Sequence, residues 1–252
     1  MNAPTAAALI IGNEVLSAKV TESNLHPLAE LLRRKGIDLR RVVVVRDEVS
    51  IICDEVRALA KAFDHVVTSG GVGPTHDDVT VSGVAAAFEV EVVLQPDLVA
   101  ILRSHYKDAC TDAHLAMARC PEGTTLEFGN GRPWPAMRMK NVWMLPGIPA
   151  IFRQKLTILE ETLLTSPAIY LRSLFLSLDE PSIKVWLDET VRMHPTIEIG
   201  SYPLWPSKKK DETPVKEEAT KVTFEGHDLA AVEAAVTHFL SQLPPTGLLR
   251  AV

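Results

Sequence analysis

The sequence is poor in the features that mark secreted, disulfide-stabilised or membrane-spanning proteins. The 252 residues include only three cysteines, Cys53, Cys110 and Cys120, which have no Cys-x-x-Cys spacing and cannot all pair with one another. No apolar run approaches the ~20 residues that cross a bilayer, and the amino terminus lacks the basic segment of a secretory signal. We therefore predict a cytoplasmic protein in a reducing compartment, with no membrane partner.

The chain also lacks an excess of positive charge. Its formal net charge is -6, so its surface as a whole does not attract nucleic acid or an anionic membrane. One lysine triplet occurs within the polar segment 206–218, but acidic residues follow it directly, and we interpret that segment as a solvated hairpin loop. We therefore expect a small polar ligand and no nucleic-acid partner.

Apolar runs alternate with amphipathic segments through the first two thirds of the chain. Continuously apolar strands that alternate with helices are typical of an α/β fold with a mainly parallel sheet, covered by helices on both faces. Residues 121–138, rich in glycine and proline, predict a long loop or hairpin arm. The predicted strands are 7–12, 39–48, 64–71, 90–94 and 142–145, and the predicted helices are 23–36, 51–63, 80–88, 96–106 and one that begins at Pro149.

The pattern changes near residue 165. Segments typical of a strand, a helix, two further strands and a helix follow in that order, which predicts a smaller α+β domain on an antiparallel or mixed sheet. We therefore divide the chain into a first domain at 1–165 and a second at 166–252.

The segment TSGGVGPTHDDVT, residues 68–80, carries the strongest functional signal. Gly70, Gly71 and Gly73 permit positive φ and a close backbone approach, so successive N–H groups can converge on an oxyanion. The spacing differs from Walker A and the turn contains no lysine, so this is not a P-loop. The turn predicts a phosphate cradle.

Two adjacent carboxylates, Asp77 and Asp78, follow the glycine turn. Thr75 and Asp78 have the spacing of a capping box, and acids in the first turn of a helix are stabilised by the helix dipole. One acid would meet that need, whereas two beside a phosphate would repel it unless a divalent cation bridges carboxylate and phosphate oxygens. We therefore predict a metal or catalytic role for at least one of the pair.

Polar residues also follow the other predicted strands. Asn13 and Glu14 follow the first, Asp47 and Glu48 the second, and Gly147 the strand at 142–145. Because parallel strands end at one edge of a sheet, where such sheets bind ligands, these carboxylates can meet over the glycine turn.

One further polar residue has two interpretations. Asn24 precedes a predicted helix, where asparagine is a good N-cap, and it also lies where a ligand contact is expected. The sequence does not choose between the two roles.

These motifs together resemble a known family. IIGNEVL, ESN, VVRDE, VVTSGGVGPTHDDVT and VWMLPGIP occur in the order seen in the molybdopterin-binding domain of the Mog and MoaB proteins, the gephyrin family and the competence/damage-inducible protein A (CinA) family. The chain is most similar to the amino-terminal part of CinA and its stand-alone relatives, including the corresponding domain of eukaryotic FAD synthases. The resemblance covers about residues 5–160 and implies a three-layer α/β fold.

The resemblance implies two activities. The CinA branch implies metal-dependent hydrolysis of a nucleotide pyrophosphate such as ADP-ribose, and the FAD synthase relatives imply FAD hydrolysis. The Mog branch implies binding and adenylylation of molybdopterin, for which acids matching Asp47 and Asp78 matter. Relatives form dimers or trimers, so we expect a homo-oligomer.

Three function hypotheses follow, with a metal-dependent nucleotide pyrophosphatase first. The alternatives are a molybdopterin-binding or adenylylating protein and a non-catalytic nucleotide-binding regulatory module, since Ile151 and Phe152 stand where CinA relatives usually have Glu-Met. The expected cofactor is a divalent metal, Mg²⁺ first, with molybdopterin as an alternative ligand. The predicted catalytic residues are Asp78 and Asp47; the metal ligands are Asp78, Asp77 and Glu14; the ligand or phosphate contacts are Gly12, Asn13, Gly70, Gly71, Gly73, Thr75, Thr80, Pro146 and Gly147.

Overall fold

The structure is a computed structural model that describes residues 3–131, 133–164, 169–204 and 218–252. It separates into two compact units, Met1–Ser166 and Pro167–Val252. Most of the predicted hairpin loop at 206–218 lies outside the described residues. Among the helices that are described, none combines the length and apolar content that a bilayer-crossing segment requires.

The first unit alternates strands and helices along the chain. Its strands are β1 (Thr5–Ile11), β2 (Asp38–Val45), β3 (His65–Ser69), β4 (Val92–Leu94), β5 (Arg119–Pro121), β6 (Thr125–Glu127), β7 (Ala136–Met139) and β8 (Val142–Leu145). Its helices are α1 (Asn13–Leu16), α2 (Leu25–Arg34), α3 (Val49–Ala62), α4 (Thr80–Phe88), α5 (Pro96–Tyr106), α6 (Asp112–Ala116) and α7 (Pro149–Thr162).

Six of these strands form one sheet in the order β2-β1-β3-β8-β7-β6. Strands β2, β1, β3 and β8 run parallel to one another, whereas β7 pairs antiparallel with both β8 and β6. Alternate residues of β1 face opposite sides: Ala6 and Ala8 pack in the core with α2 and α7, and Leu9 packs in the core with α3 and α4. The predicted three-layer, mainly parallel fold is confirmed.

Two segments differ from the predicted sheet. The strand at 90–94 does not join the six strands, because β4 pairs antiparallel with β5 in a separate two-stranded sheet. Its short apolar run matches a buried strand in composition, yet Val92 and Leu94 are 37% and 54% exposed. The arm at 121–138 does contain a hairpin, and its strands β6 and β7 extend the main sheet.

The second unit is an antiparallel sheet with two helices among its described residues. Its elements are β9 (Tyr170–Leu176), α8 (Glu180–Met193), β10 (Glu198–Pro203), β11 (Thr220–Gly226), α9 (Leu229–Gln242) and β12 (Leu248–Ala251). The strands have the order β10-β11-β9-β12, and their core includes Phe224 against Phe239 at 5.6 Å between ring centroids. The sequence did not predict β12, which is short and mostly exposed.

Helix α4, which carries the chain away from the glycine turn, is pressed against α3 at Gly83. A Cβ atom at Gly83 would lie 2.4 Å from Cγ2 and 2.6 Å from Cβ of the buried Ile52. Such distances require the two helices to separate. The glycine is therefore a packing requirement, which offsets its poor helix propensity.

We expect Gly83→Ala to lower the free energy of unfolding by about 2 kcal/mol, since overpacking of up to ~3 kcal/mol outweighs the ~1 kcal/mol gain in helix propensity. Urea unfolding measures this change. Ser82→Ala, at the exposed neighbouring position, is the control and should stay within ~0.5 kcal/mol of the wild type. A Gly83→Ala protein as stable as the wild type would contradict the proposed contact.

Candidate functional site

The turns that follow β1, β2, β3 and β8 lie at one edge of the sheet. The Gly12 N–H donates to the Val45 carbonyl at 3.1 Å, which joins the ends of β1 and β2. The Gly70 N–H donates to the Leu145 carbonyl at 3.0 Å, which joins the ends of β3 and β8. The polar residues after these strands therefore share the carboxyl edge, where parallel α/β sheets bind ligands.

The glycine turn depends on close backbone approaches. Gly70 has φ 107°, and a Cβ there would lie 2.1 Å from the Ile11 carbonyl oxygen. Gly71 has φ 65°, and its Cβ would lie 2.4 Å from Thr80 Oγ1. A Cβ on Gly147 would lie 3.2 Å from Gly70 Cα. Side chains at Gly70 and Gly71 would therefore displace the turn from the neighbouring strand ends.

Thr80 fixes the glycine turn through two hydrogen bonds to its carbonyl groups. Its hydroxyl donates to the Gly70 carbonyl at 2.8 Å, and its backbone N–H donates to the Gly71 carbonyl at 2.9 Å. The Thr80 side chain is fully buried, so it fixes the turn and is not placed on a ligand-facing surface. Thr80 is therefore a positioning residue in this structure, and its contact with a ligand stays a prediction.

The two aspartates do not belong to a helix start. Helix α4 begins at Thr80, with Val79 as its N-cap, and has no acid in its first turn, so the helix-dipole explanation for the pair is wrong. The side-chain contact of a capping box is nevertheless present. The Thr75 N–H donates to Asp78 Oδ2 at 2.8 Å, and the Thr75 hydroxyl donates to the same oxygen.

Thr75 also affects the other aspartate. A hydrogen bond from its hydroxyl is the largest cause of a lowered pKa at Asp77, followed by the backbone N–H of Asp77 itself. A threonine hydroxyl has one proton and can satisfy only one of the two carboxylates at a time. At least one of the two carboxylates beside the glycines is therefore left without the Thr75 hydroxyl as a donor.

Asp47 bonds to the turn after β1. Its Oδ2 accepts a hydrogen bond from the Asn13 N–H at 2.7 Å. Arg46 Nε lies 3.4 Å from Asn13 Oδ1 and 3.2 Å from Glu48 Oε1. The Asn13 N–H is thus used within the protein, and Asp47 positions the turn that carries Glu14.

The predicted metal ligands do not form a three-acid centre. Within the described ranges, no group of three or more His, Cys, Asp or Glu side chains is arranged to hold a metal ion. Glu14 is therefore not placed with Asp77 and Asp78 in such a group. Mg²⁺ commonly uses one or two carboxylates together with water and substrate phosphates, and the adjacent aspartates fit that smaller donor set.

Asn24 occupies the N-cap position of α2, but its side chain links strand ends and does not cap the helix. Its side chain makes no capping bond; the Glu22 carboxylate instead accepts from the N–H groups of Asn24 and Leu25 at 2.7 and 3.0 Å. The Asn24 amide Nδ2 donates to Ser69 Oγ at 2.9 Å and to the Gly147 carbonyl at 2.8 Å. Of the two roles that the sequence left open, capping by the side chain is wrong.

The first unit is thus an α/β domain with a candidate site for a small ligand. The site lies at the carboxyl edge of the sheet, where the glycine turn, two adjacent carboxylates and Asn24 are found. Residues 7–165 match the family model described as "Probable molybdopterin binding domain". Residues 168–252 match the model described as "FAD synthase, middle domain". The chain belongs to the family of probable molybdopterin-binding domains, and its second unit is similar to the middle domain of FAD synthase.

Individual relatives agree with this assignment. An archaeal protein from Archaeoglobus fulgidus is 31% identical over 91% of this chain and 93% of its own length. A "Probable FAD synthase" from Caenorhabditis elegans is 30% identical over 92% of this chain, which spans about half (49%) of that relative. The crystal structure of the protein CinA from Thermoplasma acidophilum matches 64% of this chain and 99% of its own, with 28% identity and a TM-score of 0.57.

Two substitutions at Thr80 test whether its hydroxyl group or its side-chain volume holds the turn. Thr80→Val removes the donor to the buried Gly70 carbonyl and should lower the free energy of unfolding by about 1–3 kcal/mol. Thr80→Ser keeps the donor and loses one methyl group, so it should cost less. Urea unfolding compares the two; a valine variant as stable as the serine variant would refute the role of the hydroxyl.

Proposed function

We propose that the first unit is a metal-dependent hydrolase of a nucleotide pyrophosphate of the ADP-ribose or FAD class. The observation that carries this proposal is the closeness of the Asp77–Asp78 pair to a glycine turn suited to phosphate: a Cβ added at Gly73 would lie 2.6 Å from Asp78 Oδ2, and Thr75 fixes that carboxylate. A cation bound to these carboxylates would relieve the repulsion between them and a phosphate. The same cation would raise the acidity of a bound water and offset charge that develops on phosphorus.

The protein's own residues would divide the remaining work. The backbone N–H groups at Gly71 and Gly73 would orient one phosphate, since such turns form anion-binding concavities, while the Gly70 N–H is bonded to the Leu145 carbonyl and anchors the turn. Asp78 would hold the cation with Asp77 beside it, and water and substrate phosphate would complete the donor set that Mg²⁺ commonly uses. Thr75 positions the Asp78 carboxylate through its N–H and hydroxyl.

The comparisons support this class of substrate. The second unit matches the middle domain of FAD synthase, and the relative from Caenorhabditis elegans is named a probable FAD synthase. Because the chain spans about half of that relative, the activity of the longer protein comes to this chain only as a proposal.

The decisive variant is Asp78→Asn. The amide keeps an acceptor oxygen for Thr75 but loses the charge, so we expect a folded protein whose turnover of ADP-ribose and FAD, assayed with Mg²⁺, Mn²⁺ or Co²⁺, falls by roughly 10²-fold or more. Asp64→Asn is a matched control, because Asp64 Oδ2 accepts from the N–H and hydroxyl of Thr5, both at 2.8 Å, at the amino end of β1. The control should keep full turnover, and full turnover by Asp78→Asn would refute the metal role.

A second candidate function is binding or adenylylation of molybdopterin at the same turn. The match of residues 7–165 to the probable molybdopterin-binding family favours it. It predicts tight binding of molybdopterin with little hydrolysis of dinucleotides in the same assays.

A regulatory module without turnover is the third candidate. Ile151 and Phe152 stand where the resemblance to CinA implies Glu-Met. Phe152 is fully buried in the core, as a methionine would be, whereas Ile151 stands at the position of the glutamate and is 38% exposed, so a carboxylate is missing there. Calorimetric binding of ADP-ribose with no product under any of the three metals would favour this function.

A further inference from the structure

A small cavity lies beside α2 at the carboxyl edge of the sheet. Its volume is about 60 Å³, and its polar lining includes Asn24, Ser69, Glu14, Glu22 and Gly147. The glycine turn is adjacent, since Ser69 directly precedes Gly70 and an added Cβ on Gly147 would lie 3.2 Å from Gly70 Cα. The cavity therefore borders the residues that flank the glycine turn.

One buried acceptor in the lining has no donor. Asn24 is only 5% exposed, and no group in the described part of the chain donates to its Oδ1. The amide cannot gain by turning over, because its Nδ2 already donates to the Gly147 carbonyl at 2.8 Å and an oxygen in that position would face another oxygen. A buried polar atom left unpaired is costly, so such an atom calls for an external partner.

The charged groups of the cavity lining are carboxylates. They belong to Glu14 and Glu22, while Thr21 and Ser23 add residues with hydroxyl groups, and among the described residues no lysine, arginine or histidine lines the space. A phosphate would meet repulsion here, whereas a group that donates hydrogen bonds would be received. The volume admits about two water-sized groups and excludes a base or a flavin ring.

We propose that this cavity binds the vicinal hydroxyls of a ribose, with Asn24 Oδ1 accepting a hydrogen bond from one of them. The assignment rests on the proposed function, in which the phosphate of the same nucleotide lies on the glycine turn. The N–H donors of the turn then match the phosphate of a nucleoside phosphate, and the acceptors of the cavity match its ribose hydroxyls. Asn24 is thereby a specificity-determining residue that distinguishes a ribonucleotide from its deoxy analogue.

The test compares calorimetric binding of AMP, 2′-deoxy-AMP and 3′-deoxy-AMP to the full chain, as wild type and as Asn24→Ala. AMP contains the ribose and phosphate common to ADP-ribose and FAD. We expect the wild type to bind AMP about tenfold or more tightly than one of the deoxy analogues, the factor typical of one buried hydrogen bond. Asn24→Ala should lose this discrimination and bind AMP about as weakly as the wild type binds that analogue.

Asn141→Ala is the matched control. Asn141 Nδ2 also donates to two backbone carbonyls, those of Ala60 and Phe63, both at 2.9 Å, but it precedes β8 at the amino end of that strand. Its loss should lower stability and leave the preference for AMP intact.

The outcomes separate the two proposals. A wild type that binds all three nucleotides equally overturns the ribose assignment alone, and this comparison remains valid if Asn24→Ala does not fold. A variant that loses the same factor for every nucleotide indicates a purely structural Asn24 and overturns it too. An Asn24 effect that appears only on titration with Na⁺, K⁺ or Mg²⁺, without dependence on the hydroxyls, assigns the cavity to a cation. A wild type that neither binds AMP nor binds or hydrolyses ADP-ribose and FAD overturns the proposed function and this inference together.

Discussion

The close approach of Gly70 to the Ile11 carbonyl is the constraint on which the candidate site depends. With only 2.1 Å between that oxygen and a would-be Cβ, the chain can leave β3 in this direction only through glycine. The approach brings the turn after β3 against the end of β1, and the Gly70 N–H ties it to β8. Residues from distant parts of the sequence thereby face one small region.

Many of the polar side chains at this edge hold the backbone turns in place. Asp47 is bonded to the Asn13 backbone, Asp78 to Thr75, and the Thr80 hydroxyl to the Gly70 carbonyl. Such bonds are the usual support for a preorganised site, because a loop must be held before it can bind with precision. A polar residue in the family motif is therefore not by itself a ligand contact.

The sequence was sufficient for elements that carry their own boundary signals. Helices α5 and α7 begin at prolines in the favoured first turn, and both starts were predicted at the correct residue. Strands β4 and β12 were harder to predict, because a short apolar run does not indicate which strand it pairs with. Strand β4 pairs with β5, which lies 25 or more positions along the chain. The main sheet was predictable because its strands are continuously apolar and alternate with helices.

The same distinction applies to the site. The glycine turn was recognisable because its residues are contiguous, whereas the partners of Asn24 lie 45 and 123 residues away and no local pattern reports them. The folded chain thus separates two kinds of polar group: backbone N–H groups lie in the turn, whereas the carboxylates of Glu14 and Glu22 and one unpaired acceptor, Asn24 Oδ1, lie beside α2. Because a nucleoside phosphate presents acceptors at one end and hydroxyl donors at the other, this separation favours it over a ligand that bears only anionic groups.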